Sequence, residues 1–259
     1  MNQLAVQMYT LREFTKTREG LAECFEVIHG IGYAGVQLSA VGCMDGDHPE
    51  VSPAEARAML DANGLRCVAT HRGWDRLRDY TAAEIEFHRI LGCDYTAIGG
   101  LWGAKTSEDY DAFVTTSQRV CAELGAAGIR FGYHNHAHEF IMDRARGKRH
   151  YDLLIDAPHL MLEVDTYWLN HAGLDVAAFI RQIPGRIQVI HVKDKEVLPD
   201  KGPVMAPVGE GNLHWDGILD ACRTGGTEWY VVEQDDCYRD PFDCLSSSFD
   251  FLAARGLAG

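Results

Sequence analysis

Short apolar runs rich in Val, Ile, Leu and Tyr begin near Leu4, Gly35, Leu65, Asp94, Ile129, Leu160, Ile187 and Trp229, and stretches of helical periodicity fill the gaps. Successive starts are 31, 30, 29, 35, 31, 27 and 42 residues apart. A strand, a crossover helix and two short loops consume about 30 residues, and parallel strands require such crossovers. Punctuation agrees: Gly30 and Gly32, Asn63-Gly64, Leu91-Gly92, Ala127-Gly128 and Pro184-Gly185 follow helical runs and precede strands, where helix C-caps belong. Helix starts are marked by Ser52-Pro53, by Thr81 with Glu84 as a capping box, and by Pro241. Eight strand–helix units in this length predict an α/β fold, a single (β/α)₈ TIM barrel, and no Ser/Gly-rich linker divides residues 1–259 into further domains. The 42-residue interval holds Glu196 to Trp215 with three prolines, and is expected to be a long loop at the carboxyl end of strand seven, on the face where barrels build active sites.

Strands five to eight run apolar and then turn polar: Arg130-Phe131-Gly132-Tyr133-His134-Asn135-His136, Leu162-Glu163-Val164-Asp165-Thr166-Tyr167, Ile190-His191-Val192-Lys193 and Val231-Val232-Glu233-Gln234-Asp235. Side chains alternate along a strand, which predicts two tiers at the barrel mouth. The deeper is His134, Asp165, His191 and Glu233; the upper is His136, Tyr167, Lys193 and Asp235. Two imidazoles and two carboxylates from four consecutive strands suit one divalent ion, Mn²⁺ foremost among Zn²⁺, Co²⁺, Fe²⁺ and Mg²⁺, with positions left for substrate or water. Either His134 or His136 serves as the first ligand in this reading, the other then standing behind it. Glu163, one step below Asp165, is expected to be a buried supporting acid. Tyr9, His71, Trp102, Tyr167 and Trp168 follow strand ends and offer aromatic and hydrogen-bonding faces to a small substrate, as do Arg12, Arg72, Trp74 and Lys105.

Charge narrows the partners. Twenty-four Lys plus Arg against 38 Asp plus Glu give −14, which disfavours nucleic acid or an anionic membrane. The start lacks a basic n-region, and no uninterrupted apolar run of about 18 residues occurs, so a cytoplasmic location is expected. Eight scattered cysteines without a CxxC pair read as buried free thiols. Gly30-Ile31-Gly32-Tyr33-Ala34-Gly35 fits GxGxxG but follows a helix and precedes a strand, the reverse of a dinucleotide site. The basic run Arg144 to Arg149 reads as a solvated loop.

The chain resembles the xylose isomerase-like TIM barrel superfamily, often called sugar phosphate isomerases/epimerases. The resemblance is carried by Val6-Gln7-Met8-Tyr9-Thr10-Leu11-Arg12, Tyr133-His134-Asn135-His136 with Glu139-Phe140, Leu162 to Trp168, His191-Val192-Lys193-Asp194, Val208-Gly209-Glu210-Gly211-Asn212, and Val231 to Asp235. It implies one metal held through Glu, Asp, His and Glu, which maps to His134, Asp165, His191 and Glu233, so His134 departs from the family's first ligand. It further implies a metal-dependent sugar isomerase or epimerase acting by proton abstraction α to a carbonyl through an enediolate. Glu233 is the expected base, and Lys193 or a histidine, His136 foremost, the group that returns the proton. His134 in place of a glutamate shifts weight toward a dehydratase or lyase acting on a keto-sugar or keto-cyclitol, like inosose dehydratase or a 3-keto-glycoside lyase. A non-catalytic sugar-binding barrel or complex subunit is the alternative of another class. The expected partner is a small sugar or keto-sugar, and family members often form homo-oligomers. Apurinic-site endonucleases of the same superfamily fit poorly, because Trp168 stands where their cluster needs a histidine three positions after Asp165.

Overall fold

Alternation within each apolar run decides which side chains enter a barrel and which meet its helices. The computed structural model describes residues 2–258. In it the eight runs form parallel strands: β1 Leu4–Gln7, β2 Gly35–Leu38, β3 Arg66–His71, β4 Tyr95–Ile98, β5 Arg130–His134, β6 Met161–Asp165, β7 Val189–Val192 and β8 Trp229–Val232. Each pairs with its neighbours in chain order, and β8 closes on β1 with Leu4 opposite Tyr230 and Val6 opposite Val232. Ala5, Ala69, Ala97, Tyr95, Val189 and Val231 fill the interior, small residues making room for one large ring. Leu4, Val6, Val36 and Leu162 face outward into the layer shared with helices such as Arg18–Ile31, Ser107–Ala126 and Pro241–Ala253.

The seam between β8 and β1 is fastened beyond the ladder, because Arg12 Nη1 donates to the Asp235 carbonyl at 2.8 Å and Gln234 N–H donates to Thr10 Oγ1 at 3.0 Å. Helix ends follow the sequence signals at Ser52, which caps Pro53–Ala62 in a capping box with Glu55, and at Gly32 and Gly92, both left-handed C-caps. Thr81 does not cap. The N-cap is Tyr80, Thr81 Oγ1 donates to the Leu77 carbonyl, and Glu84 turns instead to Arg72 and Arg76. Two arginines outcompete one backbone amide for that buried carboxylate.

The interval after β7 is not a plain loop. Asp194–Leu198 and Gly202–Ala206 form an antiparallel hairpin, missed because Pro199 and Pro203 read as breakers, although Pro199 opens its turn and Pro203 sits in the second strand opposite Val197. Asp194 organises the chain on both sides of this hairpin: its carboxylate accepts N–H groups from Lys195, Gly209, Gly211 and Leu213 and the Trp215 indole N–H at 2.6 Å. Gly211 lets the backbone approach that carboxylate, since any Cβ there would collide with it. Glu210 anchors the loop after the hairpin through Arg239 and Ser247. The basic run near Arg146 is neutralised by Glu108, Asp111, Asp152 and Asp156. All eight cysteines are free thiols, and among the described residues no helix is long and apolar enough to cross a membrane.

Candidate active site

At the carboxyl ends of the strands lies a cavity of about 940 Å³. On its floor His134, Asp165, His191 and Glu233 each bring one ligating atom within 4.8 Å of the others. Direct register pairs only His191 with Asp165, and His134 faces Glu163, so strand tilt completes the group. His134 Nε2 lies 3.3 Å from Asp165 Oδ2, and His191 Nδ1 lies 2.7 Å from Glu233 Oε2. Of the two histidines left open by the sequence, His134 joins this group and His136 sits above it, its ring 4.9 Å from that of His134.

Hydrogen-bond logic fixes the protons. Gln37 Nε2 donates to Glu163 Oε1 at 2.9 Å, so its carbonyl oxygen faces His191 Nε2 at 2.8 Å and that nitrogen carries the hydrogen. His191 Nδ1 is left with a lone pair aimed at the Glu233 carboxylate, which is unfavourable unless a proton or a cation lies there. Burial opposes charge on His191, but Glu163, Glu233 and Asp165 outweigh it and lift its proton affinity. His134 Nδ1 is buried without a partner. Two carboxylates and two imidazoles, that of His191 with its lone pair turned inward, fit a divalent ion.

Lys193 is almost wholly buried, its ammonium 3.1 Å from Asp165, 2.9 Å from Glu233 and 2.8 Å from Asp235. Burial disfavours that cation, yet the three carboxylates outweigh it and hold it charged. Burial would also raise Glu233, but Lys193 and His191 keep it well below the usual carboxylate range. Burial and the charge of Glu233 push Asp235 up to about 7, and burial pushes His136 down to about 3.

Of the residues expected to meet a sugar, Tyr9, His71, Arg72, Trp74, Trp102 and Trp168 line the cavity, and Lys105 does not. Trp102 is 73% exposed at the rim, and Arg12 stacks on Tyr9 instead of facing inward. Tyr167 does not line it. β6 ends at Asp165, whose Oδ1 caps the helix Thr166–His171 through Trp168 N–H, so strand alternation no longer aims Tyr167, and its ring stacks on His171. Two supports matter more than the sequence suggested. His71 Nε2 is bonded to Glu163, which makes His71 part of the buried chain Glu163–Gln37–His191. Gln37 was missed, and its signal was a lone polar residue at an otherwise apolar strand end.

The sequence profile of the family described as xylose isomerase-like TIM barrel matches residues 25–254. No curated protein matches the chain significantly. Among solved structures, a sugar phosphate isomerase/epimerase from Parabacteroides distasonis superposes with a TM-score of 0.82 at 19% identity, covering 100% of this chain and 96% of that one. An L-ribulose 3-epimerase gives 0.75 at 16%, covering 99% and 95%. The probable 3-DHS dehydratase AsbF of Bacillus anthracis gives 0.72 at 13%, covering 98% and 100%. Identities this low establish the shared fold, and the profile, which spans most of the sequence, establishes kinship: the chain belongs to the xylose isomerase-like TIM barrel family.

Proposed function

We propose that the chain is a divalent-metal-dependent enzyme that removes a proton α to the carbonyl of a sugar or keto-sugar and reprotonates the resulting enediolate, an isomerisation or epimerisation. The observation that carries this reading is the convergence of His134, Asp165, His191 and Glu233 at the floor of a sugar-sized cavity. A bound ion, Mn²⁺ first among the candidates, supplies Lewis-acid stabilisation of negative charge developing on neighbouring sugar oxygens. The four side chains hold it, and Gln37 fixes the His191 ring behind it. Glu233, kept ionised by Lys193, takes the proton.

Lys193, ringed by three carboxylates, is held too firmly as a cation to return that proton readily, and serves to balance their charge. His71 is the better donor among the histidines: it lines the cavity, and Glu163 orients it as a base is oriented in acid–base dyads. Tyr9, Trp102 and Trp168 flank the sugar. Elimination is a second reading, favoured by one observation: β5 offers the His134 imidazole where a two-carboxylate exchange would need an acid, so loss of a β-oxygen competes with reprotonation.

The test incubates metal-loaded protein in D₂O with ketoses, aldoses, inososes and 3-keto-glycosides, with NMR as the readout. Solvent deuterium at the carbon α to the carbonyl is the expected result, and the product, epimer, isomer or dehydrated sugar, selects the fate. Stoichiometric binding without exchange on any of them would replace the enzyme with a sugar-binding barrel.

A further inference from the structure

A second group of donors lies above the floor, on the turn that leaves β5. His136, His138 and Glu139 each bring one ligating atom within 4.8 Å of the others, and none of them belongs to the inner group. His138 Nε2 lies 3.2 Å from Glu139 Oε1. That is about the edge of a tetrahedron whose corners stand ~2.0 Å from its centre, the usual distance of nitrogen and oxygen ligands from Zn²⁺. The His136 and His138 rings are stacked at 22°, with centroids 5.8 Å apart.

Three observations separate this group from an ordinary histidine–glutamate pair. His136 Nδ1 is buried with no hydrogen-bond partner, a desolvated position that is unfavourable unless something fills it. Glu139 is fully buried and already oriented, Oε2 accepting the His136 N–H at 2.8 Å and Oε1 accepting the Tyr133 hydroxyl at 3.0 Å, as supporting bonds orient a metal-binding carboxylate. Gly100 keeps the ground between the donors open: a Cβ there would stand 3.5 Å from His136 Nδ1 and 3.7 Å from Glu139 Oε1, and its φ of +123° favours glycine.

We propose that His136, His138 and Glu139 form a second metal site at the cavity rim, taking a Zn²⁺-like divalent ion through two imidazoles and one carboxylate. Because both histidines line the cavity, the ion's remaining positions face it and accept an oxygen, hydroxyl or anionic, from the outer end of a bound ligand. The site stands independently of the inner centre.

Equilibrium dialysis of metal-free full-length protein against Zn²⁺, read by elemental analysis, tests it. Two ions per chain are expected for the parent and one for His138→Ala, a rim substitution whose folding is checked by circular dichroism. Glu139→Gln, which keeps the shape, is expected to weaken the same ion at least about 10-fold. Trp102 gives a local readout, its ring lying 4.7 Å from His136 and 5.5 Å from His138. Quenching of the protein's fluorescence by Cu²⁺ should therefore be weaker in His138→Ala, the remainder coming from Trp168, 5.3 Å from His136. One ion in both parent and His138→Ala, or two in both, overturns the proposal. A single ion that His138→Ala abolishes supports the rim site and removes the inner one.

Discussion

The two halves of the barrel carry different chemistry. Strands β5 to β8 end in His134, Asp165, His191 and Glu233, with Lys193 and Asp235 just beyond. Strands β1 and β2 carry neutral Gln7 and Gln37 near their ends, and beyond β3 Arg72 and Arg76 share the single carboxylate of Glu84. The neutral half is not passive. Gln37 decides which nitrogen of His191 carries the hydrogen, and His71 caps the far end of the same chain through Glu163. In the proposed reaction one half supplies the metal ligands and the base, while the other assigns their protons and contributes the donor His71, so damage to each should have a different signature.

The largest effect is expected in the reactive half. Glu233→Gln should lower solvent-deuterium exchange by about 10³–10⁴-fold, measured on whichever sugar the parent exchanges, and a loss below tenfold would move the base elsewhere, to Asp235 first. In the other half, Glu84→Gln should cost about 3 kcal/mol of stability at pH 7, because Arg72 loses most of its partner, while the metal content stays unchanged. Burial raises that carboxyl, but Arg72 and Arg76 outweigh it and lower it below 4.5. Its contribution is therefore full above 4.5 and fades as pH falls through the folded-state value. Denaturant melts of parent and variant should converge in acid; a gap that persists there would mean packing, not charge.

Removal of the ion sits between the halves. With free metal at about 100 times the dissociation constant, chelation should cost about 2.7 kcal/mol, read as a melting temperature lower by roughly 5–10 °C. An unchanged melting curve would mean that nothing binds at the floor. The smallest effect belongs to Gln37→Leu, expected to weaken metal binding about 10–100-fold without touching a ligand. Titration with Mn²⁺ measures it, and an unaltered affinity would break the division of labour between the halves.

The division also marks what could be read without a structure. Strand starts were legible because apolar runs and C-cap glycines recur at one spacing, and the floor because charged side chains at strand ends are conspicuous against Val and Ile. Tyr167 falls outside the cavity lining because the period-two pattern stops at Asp165, where a side-chain cap turns the strand into a helix. The hairpin after β7 stayed hidden because Pro199 and Pro203 read as breakers, although one lies in its turn and the other within its second strand. Thr81 and Glu84 matched a capping pattern, but arginines distant in sequence claimed the acid. Gln37 carries no charge, and its value lies wholly in two partners from other strands.

Strand order has a consequence during synthesis. As the chain leaves the ribosome, His134, Asp165 and His191 emerge before Glu233, and the fourth donor arrives on the strand that must dock against the first one made. Any translation product cut short of β8 holds three donors in an unclosed sheet with no Glu233 to set against Lys193. Completion of the donor set thus coincides with closure of the ring, and an unfinished chain has no complete inner site.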